Sequence, residues 1–317
     1  MKVFRDVVSA HHWVFSVAKI LHRDLSATNL MVQRIGKEIN GILADFDLAV
    51  GESKKEQDEE VKRLRRLDSD STPPSQRTER VTSMEVNPVR EKEQTDKKCQ
   101  KMRFRTGTGP FMAIDILKSK PTTPIHVYRY DLESFFYVLV WFCAGFDPKF
   151  NTLASIDSWR TPSYEDIAKN KEAFINDSKQ TISDAIFANT HSSYQPLVKA
   201  WIHPLRLLFK EVLSCASRLD SDIKEISVHQ DKLDALVDDA SLSLEEMQEQ
   251  CDTTNQRIEE LVLTAKSAKD KLDTLPSYKN FIAKLKVVIF QEGANNIAKK
   301  RTVYYNKFAG FDPESLR

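Results

Sequence analysis

Glycine is scarce in this chain and never clustered. Eight glycines stand among 317 residues, at 36, 41, 51, 107, 109, 145, 293 and 310, and none of them builds a GxGxxG. That excludes a phosphate cradle of this spacing. The four cysteines (Cys99, Cys143, Cys215 and Cys251) form no CxxC pair and no metal-ligand spacing. A disulfide framework is excluded, and reduced intracellular thiols are expected. The longest apolar run, FFYVLVWFCAGF at 135–146, falls short of the roughly 20 residues a membrane helix needs. It reads as a buried core helix. The N-terminal stretch MKVFRDVVSAHHWVF lacks the charged-then-apolar layout of a signal peptide. No charge dominates either, because 47 Lys and Arg face 46 Asp and Glu, leaving a net +1. Neither nucleic acid nor an anionic membrane has an electrostatic claim on the whole chain. An intracellular protein, cytoplasmic or nuclear, is expected.

What is present falls into zones. Residues 1–50 are apolar-rich: Val3, Phe4, Val7, Val8, Val14, Phe15 and Ala18 predict one amphipathic helix. Short strands are expected at 30–33 and 40–46, with Gly36 and Gly41 bounding their turn. Residues 51–103 carry dense mixed charge and almost no aromatic side chain, so they cannot bury enough apolar surface to offset ordering entropy. They are expected to be disordered. Within them KRLRR, at 62–66, reads as solvated charge more readily than as a nuclear import signal. Residues 104–217 are globular again, with helical patterns in DLESFFYVLVWF, YEDIAKNKEAF and YQPLVKAWIHPLRLLFKEVL. From Leu205 to Leu275 there is neither Gly nor Pro, and over 218–275 a three-four spacing runs through Leu219, Ile223, Ile226, Gln230, Leu233 and Val237, then Leu244, Met247, Cys251, Thr254, Ile258 and Leu261 to Leu272. That seam predicts one helix of about 85 Å, paired in a coiled coil with a partner helix or a second copy through 219–275. A further helix is expected in 276–317, after Pro276. Adjacent His11 and His12 on the first helix face different ways and read as packing and surface residues.

The chemistry concentrates in ILHRDLSATNLM at 20–31 and LADFDLAV at 43–50. Phosphoryl transfer asks a protein for in-line positioning and for divalent cations on the phosphates. Asp24 is placed to accept a hydrogen bond from an incoming hydroxyl, Asn29 to turn its side-chain oxygen to a metal, and Asp45 to supply the anionic ligand, with Phe46 packed inward behind it. Mg²⁺ suits such an oxygen site, since it takes one or two protein ligands and leaves its other positions to phosphate and water.

These blocks, with RTGTGPFMAIDIL at 105–117 and HVYRYDLESFFYVLVWF at 126–142, resemble the fungal-type protein kinases from about Arg5 to about Phe209. The resemblance implies a mainly α, protein kinase-like C-terminal lobe with short strands. It implies ATP and Mg²⁺ as cofactors, a protein substrate and serine/threonine kinase activity. Asp24 would be the catalytic base, Asn29 and Asp45 the metal ligands, and Phe46 would stand with them at the cofactor. Thr106 and Thr108 would lie on the substrate side, where a threonine hydroxyl meets the catalytic aspartate. Arg23 is where kinases gather basic charge to receive a phosphate, and the acceptor residues of 51–103, such as Ser69, Ser71 and Thr72, fall in the activation segment. His22 would be structural, Asp115 would take the anchor position of the activation segment, and Asp131 would cap the backbone of the catalytic loop. Ser26, Asp47 and Asp115 stand where most kinases carry lysine, glycine and glutamate. Because 21 residues precede His22, the N-terminal lobe is expected to be missing from this chain. The rival reading is a truncated or pseudokinase interaction module acting through its coiled coil.

Overall fold

The computed structural model describes residues 2–53, 107–119, 125–237 and 243–285. The segment read as disordered (54–103 of it), its phosphate-acceptor residues, Thr106, Cys99 and the tail from 286 lie outside them. The described residues form two compact units, which divide between Val198 and Lys199.

The first unit opens with α1 (Lys2–Ala18), followed by β1 (Ile20–Leu21), β2 (Leu30–Ile35), β3 (Glu38–Leu43) and β4 (Val50–Gly51). β2 and β3 form an antiparallel hairpin in which Leu30 faces Leu43 and Met31 faces Ile42, while β1 pairs with β4. Gly41 does not bound the turn as expected but lies within β3. A Cβ there would stand 2.1 Å from the Val3 carbonyl oxygen, so the bare backbone is what lets α1 lie against the hairpin.

A 3₁₀ turn (Gly109–Phe111) and α2 (Ile114–Lys118) lead to α3 (Tyr128–Gly145). α3 is the run read as a core helix, and thirteen of its eighteen residues are buried. A helix apolar on nearly every side must be enclosed, and here Trp159 packs edge-on against Tyr137 and Phe174, while Phe174 stacks on Phe136. α4 (Tyr164–Asn176) starts at Ser163, whose hydroxyl accepts the amide of Asp166. α5 (Thr181–Phe187) and α6 (Gln195–Leu197) follow.

The second unit is a helical hairpin. α7 (His203–Val237) runs unbroken through 217, where the sequence reading had placed a boundary. α8 (Leu244–Thr274) packs against α7, and α9 (Tyr278–Lys284) buries Phe281 near Phe209. This corrects the expected single helix over 218–275. Ser243 begins a new helix with a complete capping box, its hydroxyl accepting the Glu246 amide while Glu246 reaches back to the Ser243 amide. Two backbone amides of one helix N-terminus are satisfied there by side chains. The seam's partner is thus in the same chain: Arg257 bonds Glu225 at 2.8 Å, and the Thr264 hydroxyl donates to Asp222 at 2.8 Å. On α8 the expected seam holds in its later part, with Thr254, Leu261, Ala265, Ala268 and Leu272 buried, whereas Leu244 at its start is 81% exposed. On α7 it is rotated, since Asp222 and Leu236 face inward while Ile223 is 55% exposed. No described helix is long and apolar enough to cross a membrane.

Candidate active site

The loop between β1 and β2 carries His22 to Asn29, and it is held from beneath. Asp131, at the start of α3, accepts the backbone amides of His22 at 2.8 Å and Arg23 at 3.1 Å. Its two oxygens are also engaged by His11 at 2.8 Å and His126 at 2.9 Å. Burial alone would raise this carboxyl, but the two histidines and their hydrogen bonds outweigh it and hold Asp131 well below the usual carboxylate range. A buried carboxylate with four donors is a rigid peg for the loop. Neither histidine was assigned this role from the sequence, because their contact to Asp131 is tertiary.

Above the peg, His22 donates from Nε2 to the Ala44 carbonyl at 3.0 Å, and its ring lies 4.7 Å from that of Phe46. Burial pushes its pKa below the ordinary histidine value, despite the Ala44 bond. Phe46 is not packed inward as expected. One face rests on His22 and the residue remains 38% exposed.

Asn29 is buried and donates to the Asp24 carbonyl at 2.8 Å, which leaves its amide oxygen to the Thr28 hydroxyl at 3.4 Å. Its own carbonyl accepts the Ala44 amide at 3.0 Å. That bond extends the β2–β3 ladder by one step and brings Asn29 and Asp45 to the same end of the hairpin. Asp45 and Arg23 both adopt left-handed backbone, with φ of 65° and 69°. Strained φ values of this kind persist where the surroundings enforce them, and they gather at functional sites. Ser26 is buried, its hydroxyl 2.7 Å from that of Thr28.

The chain returns to this loop 84 residues later. Thr108 donates both its amide (3.0 Å) and its hydroxyl (3.1 Å) to Oδ1 of Asp24. Gly107, at φ 121°, makes the approach possible, since a Cβ there would sit 3.0 Å from the Arg23 carbonyl oxygen. Asp115 pairs with Arg129 at 2.8 Å, and Arg129 also reaches the Tyr130 hydroxyl at 3.1 Å.

The donor set fits Mg²⁺: one exposed carboxylate, Asp45, and one amide oxygen, Asn29, at one end of a hairpin. Among the described residues no three His, Cys, Asp or Glu side chains gather to hold a metal by themselves. Met31 and Ile42, cross-strand partners on one face of the same hairpin, are 53% and 37% exposed and offer an apolar wall. No curated protein and no solved structure matches the chain. A family model described as fungal protein kinase matches residues 1–143, a span that holds every site residue named above.

Proposed function

We propose that this chain, whose residues 1–143 match the family model for fungal protein kinases, is a protein serine/threonine kinase that transfers the γ-phosphate of ATP to a protein hydroxyl. The observation that carries the reading is the pair of hydrogen bonds from Thr108 to Asp24. Both fall on Oδ1, so Oδ2 is left without a hydrogen-bond partner among the described residues. A carboxylate fixed in this way accepts the proton of an incoming hydroxyl at low reorganisation cost.

Asp45 and Asn29 would hold Mg²⁺, which when bound neutralises charge on the phosphates. Met31 and Ile42 support the nucleotide's base on the apolar side of the hairpin. Asp131 keeps the loop in register, and the Asp115–Arg129 pair tethers the segment that follows Thr108.

A second reading, an interaction module without catalysis, is favoured by the absence of a GxGxxG loop from the sequence. The two are separated by a thermal-shift titration with Mg²⁺ and ATP. Ligand bound only by the folded state stabilises it by about 2.7 kcal/mol at a hundredfold excess over Kd. A Mg²⁺-dependent shift that Asp45→Ala abolishes supports the kinase reading. No shift at millimolar ATP supports the module.

A further inference from the structure

The segment behind Thr108 is gripped at two consecutive peptide groups by buried ionisable side chains. Lys171 of α4 donates from Nζ to the Met112 carbonyl at 2.6 Å, and Glu133 of α3 accepts the Ile114 amide at 2.9 Å. Between them lies Ala113, itself buried. Glu133 accepts in addition the Tyr137 hydroxyl at 2.9 Å. Lys171 is fully buried, with its ammonium 3.8 Å from the Tyr137 ring centre and 5.6 Å from that of Trp159.

Enclosing an ammonium and a carboxylate costs several kcal/mol each before their interactions are counted, and apolar residues of similar volume commonly pack such a site more cheaply. Bulk stability is therefore a poor account of the pair. What distinguishes it is the place it grips. The Thr108 carbonyl accepts the amides of Phe111 at 2.8 Å and Met112 at 3.2 Å, which closes the 3₁₀ turn. Thr108 in turn holds Asp24. A continuous path of hydrogen bonds thus runs from Lys171 through Met112 and Thr108 to Oδ1 of Asp24, with Glu133 fixing the next peptide.

We propose that Lys171 and Glu133 are positioning residues for Asp24, clamping residues 112–114 so that Thr108 keeps Oδ1 engaged and Oδ2 directed at the acceptor hydroxyl. The proposal rests on the reading of Asp24 as the base, but it is tested apart from it.

Hydrogen exchange of the whole chain supplies that test, in the parent, Lys171→Met, Glu133→Ala and Glu133→Gln. Lys171→Met fills the aromatic cage without a donor, Glu133→Ala removes the acceptor, and Glu133→Gln retains an oxygen for Ile114. The amides of Thr108 and Met112 are expected to exchange at least about tenfold faster in the first two variants. The α3 amides of Val138 to Trp141 keep their protection, and Glu133→Gln stays near the parent. In a phosphotransfer assay the first two lose kcat by a similar factor while KM for ATP holds. Parent-like protection at Thr108 in the folded variants overturns the proposal. So does a parallel rise across α3, or failure of both Lys171→Met and Glu133→Ala to fold, since each assigns the pair to general stability. A parent that transfers no phosphate sinks the kinase reading alone, because exchange at Thr108 still decides the clamp.

Discussion

Thr108 places two hydrogen bonds on one oxygen of Asp24, although 84 residues separate them in the chain. The hydroxyl bond is the removable one. Thr108→Ala is expected to lower kcat about ten- to a hundredfold, with stability changed by no more than about 1 kcal/mol because the site is exposed and the amide bond survives. Thr108→Ser restores the rate. Steady-state kinetics beside urea unfolding check both halves.

Asp131 satisfies two loop amides and two histidines from one buried carboxylate. Replacing it by Asn puts an amide group against donors, and a loss on the order of 3–5 kcal/mol is expected in urea unfolding. The pH signature follows from its depressed pKa. The unfolded chain takes up this proton near the ordinary value of about 3.9. The contribution is therefore complete above that pH and is lost as pH falls through the lower folded value. Stability below about pH 4 should fall more steeply in the parent than in Asp131→Asn.

Glu133 behaves in the opposite sense. Burial, with Asp115 nearby, pushes its carboxyl up to about 7, against 4.5 when exposed. The folded chain holds a proton between those values that the unfolded chain has released. Its contribution is complete below about pH 4.5 and is lost as pH rises through about 7. Thermal unfolding of the parent should lose ground to Glu133→Gln between pH 6 and pH 8. A difference that does not change with pH over that interval would show that the carboxyl does not titrate there.

The hairpin of α7 and α8 makes a prediction about register. Leu261 is buried and Ile223 is exposed, although both lie on the one apolar seam visible in the sequence. Leu261→Ala is expected to cost about 2–4 kcal/mol and Ile223→Ala less than about 0.5 kcal/mol. Equal costs at the two positions would restore the continuous seam.

That seam shows where the sequence stopped being readable. Along α8 from Thr254 onward the three-four spacing names the buried face, because packing there follows local periodicity, but Leu244 on the same spacing is exposed. On α7 an aspartate, Asp222, turns inward to meet Thr264, and no period announces a polar contact across two helices. The break between the helices did leave a signal. Ser243 and Glu246 stand in the S-x-x-E order of a capping box, a start signal that the expectation of one unbroken helix did not take up. The grouping of Asp24, Asn29 and Asp45 was legible because they lie close together in the sequence, on one loop and the hairpin that follows it. Their supports were not. His11, His126, Lys171 and Glu133 act at distances along the chain that only the fold closes, and Phe46, expected inside, proves half open over His22.

The most direct measurement is phosphate transfer from isotopically labelled Mg·ATP by the purified chain. Autophosphorylation and a mixed serine and threonine peptide pool serve as acceptors, and Asp24→Asn is run beside the parent. The account predicts label on serine or threonine hydroxyls, reduced at least about a hundredfold in Asp24→Asn while that variant still unfolds near the parent temperature. No transfer by the parent, or transfer that Asp24→Asn leaves intact, would contradict it.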